Sequence, residues 1–272
     1  MKLVTTYMTQ NGLYDTRYSM RVRGLMFHSL GIPIDSPAEM YARWNKPEYR
    51  KASIHGFVGA EEVRIVEPCM EHPRTAMRAW HSASGANGRA DETHLGFEMC
   101  EPSCIKYTHG AAFTCSDVPA AAAFVWKSTR NMAELFAKLC RFHGLDPLKD
   151  GVILSHAEAH KRGLASNHGD PGHLWKQLGM DYGMDQFRED VAQLMKEEED
   201  SMTYDQWKEY MERYRKELGE QKAASWAVPY IEQCIAAGVM AEVNGSIDRP
   251  GDLLTRQEAA VMAANTVKSA KR

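Results

Sequence analysis

No stretch of this 272-residue chain approaches the roughly 20 consecutive apolar residues that a membrane-spanning helix requires. The opening residues, MKLVTTYMTQNGLYDTRYSM, hold no apolar core of the kind a secretory signal carries. The chain is therefore expected to be made in the cytoplasm as a soluble protein. It also has no excess of one charge. Lys and Arg number 33 against 36 Asp and Glu, a net charge of -3, so no global basic field recruits nucleic acid or an anionic membrane. The six cysteines are Cys69, Cys100, Cys104, Cys115, Cys140 and Cys234. The spacing of Cys100, Cys104 and Cys115 lacks the second close pair of a structural zinc site, so all six read as thiols, several of them buried. Low-complexity tracts are absent, and 44% hydrophobic with 25% charged residues is the composition of a globular protein. The length suits one ordinary domain and a smaller one. The last of the 11 histidines is His173, so whatever chemistry histidine performs here is confined to the region before it.

What is present divides into three segments. Residues 1–195 alternate short apolar runs with helical patterns, which predicts an α/β fold, a mixed sheet flanked by helices. VRGLMFHS reads as a strand that ends near His28, followed by a helix with Ser36 as N-cap and Pro37 in its first turn. IHGFVG and EVRIVEP read as a hairpin, and HLGFEMC as a buried strand. A long helix is expected from Pro119 to His143, stopped by Gly144, and GVILSH as a strand delivering His156 at its end. Residues 196–224 form a charged connector helix, opened by a capping box of Thr203 and Gln206. Its stripe of Trp207, Tyr210, Met211, Tyr214 and Leu218 either lies on the protein's own core or forms a dimer seam or a wall-contact surface. Residues 225–272 read as helix, loop, helix, with a second capping box at Thr255 and Glu258.

The stretch SHAEAHKRGLASNHGDPGHLW, Ser155 to Trp175, gathers His156, His160, His168 and His173 around Asp170. A catalytic zinc takes three protein ligands and leaves one position open. His156 at a strand end, Asp170 on a GDPG turn and His28 at a second strand end make such a trio. Ser29 and Gly31 leave space beside it. Two imidazoles and one carboxylate suit zinc better than magnesium or calcium, which prefer all-oxygen shells. His72, His109 and His143 read as ordinary surface groups. His55, alternating with Ile54, is expected beside the site, and His160 and His173 along the cleft. The loop WHSASGANGRADETH is rich in the small polar residues that follow a glycan or peptide by hydrogen bonding. Its Trp80 is either a substrate contact or core, and His81, His55 and Asn167 are expected to contact substrate.

GLMFHSLG, THLGFEMCEP and the histidine-rich stretch, in that order, resemble the zinc-dependent N-acetylmuramoyl-L-alanine amidases of the peptidoglycan-recognition-type fold, and within them the endolysins of clostridial prophages. The similarity covers residues 1–195. It implies one catalytic Zn2+ on His28, His156 and Asp170, and an acidic catalytic residue at Glu98, with Glu101 its neighbouring competitor. Many members carry Lys two residues before the last ligand. Here that position is His168, which the resemblance casts as the stabiliser of the oxyanion. The implied substrate is peptidoglycan, cut between N-acetylmuramic acid and the L-alanine of the stem peptide. Without a signal peptide, the enzyme would reach the wall after holin-type or lysis-dependent release.

The tail SWAVPYIEQCIAAGVMAEVNGSIDRPGDLLTRQEAAVMAANTV resembles one S-layer homology motif. The resemblance implies binding to a secondary wall polymer, with Trp226 and Arg256 as contacts. Such motifs act in sets, so a single copy implies homo-oligomerisation through the tail or the connector helix. Two other readings of the chain are a non-catalytic peptidoglycan-binding protein and an S-layer-associated anchoring protein. Neither needs a complete ligand set with Glu98 beside it.

Overall fold

GLMFHS and HLGFEM, the two runs that read as buried strands, lie side by side at the centre of one sheet. In the computed structural model, residues 2–199, 204–220, 223–240, 242–243, 246–247 and 256–270 are described. They fall into two units, Met1–Glu199 and Asp200–Arg272.

The first unit is built on a six-stranded sheet. Its strands are β1 (Lys2–Thr5), β3 (Gly24–Ser29), β4 (Gly56–Val58), β5 (Glu62–Ile65), β7 (His94–Met99) and β10 (Ile153–Ser155), in the order β1-β5-β4-β7-β3-β10. Only β4 and β5 run antiparallel, as the expected hairpin; every other neighbour is parallel, so the sheet is mixed. All six residues of β3 are buried, which explains a run with little polar alternation.

Period-two alternation then sorts the side chains. Leu25 and Phe27 of β3, Leu95, Phe97 and Met99 of β7, and Ile153 of β10 enter the main core. Met26 and Leu154 enter a separate small cluster with Ala90, Ala159 and Ala165. His28 shares parity with Met26, and Glu98 is its registered partner across the β3–β7 ladder. The sheet therefore turns both groups away from the main core.

Helix α2 (Val118–His143) covers the opposite face. The Asp117 side chain accepts the Ala120 N–H, and Gly144 closes the helix at φ 66°, where a Cβ would be disfavoured. Phe136 of α2 meets Phe27 and Phe97 edge-on, and Phe187 of α5 (Met184–Glu199) packs on Phe27 and Phe136. Truncating one such buried ring costs about 3–5 kcal/mol. Helix α1 (Pro37–Trp44) starts as expected, with Ser36 accepting the Glu39 N–H at 3.2 Å.

Two small antiparallel ribbons flank the sheet: β2 (Ser19–Arg21) with β6 (Thr75–Met77), and β8 (Ile105–His109) with β9 (Ala112–Cys115). The remaining helices are the short α3 (His156–Lys161) and α4 (Gly172–Gln177). The expected boundary at 195/196 falls inside α5, which runs unbroken to Glu199.

The second unit holds α6 (Tyr204–Glu220), α7 (Val228–Ala236), a minimal hairpin β11 (Glu242–Val243) with β12 (Ser246–Ile247), and α8 (Arg256–Ser269). On α6, Trp207, Tyr210 and Tyr214 are exposed, so these three aromatics do not line a core of their own. Thr203, Thr255 and the side chains of Gln206, Arg256 and Glu258 lie outside the described residues, and with them both capping boxes. Among the described residues no helix is long and apolar enough to cross a membrane. All six cysteines are free thiols.

Candidate metal centre

Each of the three expected ligands is placed by a different local device. His28 is the fifth residue of β3 and inherits its direction from the sheet. His156 is the first residue of α3, not the last of a strand. Ser155 ends β10 and caps that helix through a capping box with Glu158, which Arg188 holds at 2.6 Å. Asp170 stands on the turn before α4, where its Oδ2 accepts the Ser29 N–H at 3.1 Å.

The three side chains converge, with His28 Nδ1 lying 3.0 Å from His156 Nδ1. Asp170 Oδ2 is 3.6 Å from His28 Nδ1, and its Oδ1 is 3.8 Å from His156 Nδ1. Tetrahedral zinc with bonds of about 2.0–2.2 Å separates its ligands by roughly 3.3–3.6 Å. The three observed spacings bracket that range. Among the described residues this is the one group of His, Cys, Asp and Glu that converges in this way.

The tautomers explain why a cation belongs there. His81 Nε2 lies 3.0 Å from the His94 carbonyl, which can only accept, so that nitrogen carries the proton. His81 Nδ1 is then an acceptor for His28 Nε2–H at 2.9 Å. The lone pair of His28 is thereby fixed on Nδ1, facing the centre. His156 Nε2 has two groups able to accept its proton, Ser166 Oγ at 3.3 Å and His168 Nδ1 at 3.2 Å. Its Nδ1 lone pair faces the same point. Two lone pairs 3.0 Å apart repel unless positive charge lies between them.

The three groups also act on one another's charge. Burial works to lower the His28 pKa, but the Asp170 hydrogen bond and the charge of Glu98 outweigh it and raise it. Burial and the neighbouring His28 push His156 down to about 3. Burial opposes ionisation of Asp170, yet His28, His156 and the Ser29 N–H hold its pKa below the usual value.

Glu98 lines the cavity at this centre, about 420 Å3 in volume, and its Oε2 is buried without a hydrogen-bond partner. Burial, reinforced by Asp170 and Glu101 against the lowering effect of His28, pushes its pKa up to about 7. Such a carboxyl both takes and returns a proton near neutrality.

Glu101 is also pushed to about 7 by burial, but it is committed elsewhere. It accepts the Gly31 N–H at 2.8 Å and the Tyr107 hydroxyl at 2.8 Å. The Tyr107 oxygen in turn lies 2.7 Å from His173 Nε2. This chain of contacts ties the β8–β9 ribbon to α4, and Gln177 adds a second tie through Phe113 N–H and the Ala111 carbonyl. The ribbon thus walls one side of the cavity with Tyr107, Gly110 and Ala111. Sequence reasoning missed Tyr107; the alternation in IKYT before a His-Gly turn is the signal that marks its ribbon.

Several expectations need correction. His55 touches no substrate space: it is fully buried, donating from Nε2 to the Met77 carbonyl and accepting the Gly96 N–H at Nδ1. His81 does line the cavity, but both its nitrogens are spent on positioning His28. Gly96 makes room for it, since a Cβ there would meet the His81 ring at 2.5 Å.

Trp80 is neither core nor cavity wall. Its ring lies 4.0 Å below the Arg78 guanidinium, with Arg89 and Tyr18 around it. The Gly-rich loop after it is tied to the end of α3, with Asn87 bonded to the Gly163 and Arg162 carbonyls. His143 is buried rather than on the surface, donating to the Cys69 carbonyl. His160 donates to the Ala165 carbonyl and does not line the cleft, whereas His173 does. His72 and His109 are exposed.

Asn167 and His168 line the cavity and are exposed. With Nδ1 turned to His156, a neutral His168 ring carries its proton on Nε2 and remains a donor there without needing a positive charge.

The family model described as N-acetylmuramoyl-L-alanine amidase matches residues 18–173. A Staphylococcus aureus hydrolase, AmiA, solved in complex with its ligand, is similar at 18% identity and TM-score 0.52, covering 72% of this chain and 83% of that one. A mutant endolysin from Bacillus subtilis aligns at 16% identity and TM-score 0.47, over 70% of this chain and 99% of that one. The endolysin amidase LysCS of Clostridium intestinale aligns at 9% identity and TM-score 0.35, over 66% and 97%. Among curated proteins nothing matches the chain.

Proposed function

This chain belongs to the N-acetylmuramoyl-L-alanine amidase family and is a peptidoglycan amidase, and from that premise we propose how its side chains divide the reaction. His28, His156 and Asp170 hold one Zn2+. The convergence of two histidine lone pairs and a carboxylate on one point is the observation that carries this reading. A Zn2+ held there supplies Lewis acidity, polarising an amide carbonyl and acidifying water.

The chain's own residues do the rest. Ionised Glu98 takes a proton from the attacking water and delivers it to the L-alanine nitrogen as the carbon–nitrogen bond breaks. A pKa pushed to about 7 serves both halves of that transfer. His168 donates from Nε2 to the carbonyl oxygen as negative charge develops on it. His81 keeps His28 in the one tautomer that can ligate. The Tyr107 wall restrains the substrate on the side of Asp170.

The ordered motifs support an endolysin of the clostridial prophage kind, acting on the wall after release from the cell. The S-layer-like sequence of the tail and the 75% exposure of Trp226 support binding of a secondary wall polymer, helped by pairing of copies through the exposed α6 aromatics.

Digestion of purified cell wall tests the reading. New L-alanine N-termini should appear without new reducing sugars, and a chelator should stop their appearance. Reducing ends, or full activity after exhaustive chelation, would overturn it.

A further inference from the structure

The molecule has a second concavity, larger than the first, at the other end of the same strands. It encloses about 560 Å3 and is lined by Arg21, Arg23, Arg74 and Lys149 over a floor of Val22 and Gly151. Among the described residues, none of these four cations meets a carboxylate. Two aspartates share the lining: Asp150 is matched by Arg162 at 2.5 Å, and Asp146 accepts the Leu148 N–H but keeps its charge, so the four cations outnumber it. A chain with a net charge of -3 therefore gathers four unmatched cations around one groove.

Arg74 is held there at a cost. It is a non-glycine residue at φ 67°, a left-handed conformation worth about 1 kcal/mol or more of strain. Buried His143 accepts its N–H at 3.0 Å, and the Val22 N–H bonds its carbonyl. Glycine is the residue such a turn ordinarily takes. An arginine kept in that place by a buried histidine supplies a guanidinium to the groove that glycine cannot. His143, the imidazole in the lining, has both nitrogens bonded and is not free for chemistry. The groove is built to bind.

We propose that this groove binds a linear phosphodiester polymer, one negative charge per repeat; that the polymer belongs to the bacterial wall rests on the amidase reading. Three arginines suit the paired oxygens of phosphate. Four separate cations around about 560 Å3 suit a chain of single charges better than one small anion, which reaches one or two of them. Val22 and Arg23 precede β3 and His28 closes it, so groove and metal centre stand about 17 Å apart at 3.3 Å per residue. The polymer would hold the enzyme by one end of the sheet while the other faces the glycan.

The test uses the full chain and a short, labelled glycerol-phosphate oligomer, with binding followed by anisotropy. Neutralising four phosphates predicts a salt slope near -2.8, or about 50-fold weaker binding between 50 and 200 mM salt at most. The double variant Arg23→Gln, Arg74→Gly keeps the backbone donor to His143 and relieves the strain at position 74. It should bind more weakly, lose only about sevenfold over the same salt range, and cleave soluble muropeptides at the wild-type rate. Absence of oligomer binding, a salt slope unchanged in the variant, or equal binding of a DNA duplex of the same charge would each overturn the proposal. Binding is read without turnover, so failure here is distinct from failure of the amidase reading.

Discussion

Replacing His81 with alanine removes the acceptor of the His28 Nε2–H, a bond of 2.9 Å made by a ring that is 1% exposed. An orphaned buried donor costs about 1–3 kcal/mol. Because His28 no longer has a preferred tautomer, that cost falls on the metal-binding state. At 1.36 kcal/mol per tenfold, zinc affinity should fall by about 5- to 150-fold, in line with the 10- to 100-fold usual for such supporting groups. His81→Gln carries an acceptor toward His28 and a donor toward the His94 carbonyl, and should recover most of the loss. Gly96→Ala should imitate the alanine variant from the other side, by pushing a methyl group into the His81 ring at 2.5 Å. Competition for Zn2+ against a chromogenic chelator at neutral pH measures all three, with melting of the metal-free proteins as control for folding. Zinc affinities of His81→Ala and wild type within twofold of each other would refute the tautomer argument.

Four further outcomes are expected. Glu98→Gln should lower turnover by about a hundredfold or more with zinc retained, and abolish the rise in kcat/KM through about pH 7 that ionisation of Glu98 produces; parallel loss of zinc would make Glu98 a ligand. His168→Ala should cost about a hundredfold in kcat with little change in zinc content, and near-normal turnover would remove the residue from the chemistry. Glu67 is fully buried with neither carboxylate oxygen hydrogen-bonded, and burial outweighs the nearby Ser53 hydroxyl to raise its pKa well above 4.5. The unfolded chain then ionises first, so wild-type stability should fall as pH rises above about 4.5, and Glu67→Gln should flatten that fall in melts at successive pH; identical pH profiles would contradict it. A chain ending at Glu199 should still cleave soluble muropeptides yet sediment less with intact walls, and unchanged sedimentation would exclude anchoring by the tail.

Much of the first unit was legible because its signals are local. The apolar run of β3, the hairpin of β4 and β5, and the Gly144 end of α2 depend on residues within a turn of each other. The convergence of His28, His156 and Asp170 was legible for another reason: the first lies near the end of a strand, the second just after one and the third on a short turn, and the sequence marks all three places. The roles of the other histidines were not. His55, His81 and His143 are distinguished by which carbonyl lies opposite each ring, and the partners come from residues 77, 94 and 69. No window of sequence contains that pairing. His143 looked like a surface group at a helix end; it is buried because the loop at Cys69 comes down over it. Tyr107 was hidden because its partners, Glu101 and His173, are joined only when the ribbon folds against α4.

The order in which the ligands occur along the chain has a consequence for synthesis. β10, the edge strand beside β3, leads directly into His156, and Asp170 follows it, so two of the three proposed ligands are translated only after the last strand of the sheet. A ribosome-bound fragment that ends before this strand carries His28 and Glu98 but has no way to assemble the centre. An enzyme that attacks walls is thus inert for most of its own translation. Under the proposed ligand roles, fragments left by premature termination or early proteolysis would lack the centre, and lytic capacity would arrive only with chains finished through the catalytic unit.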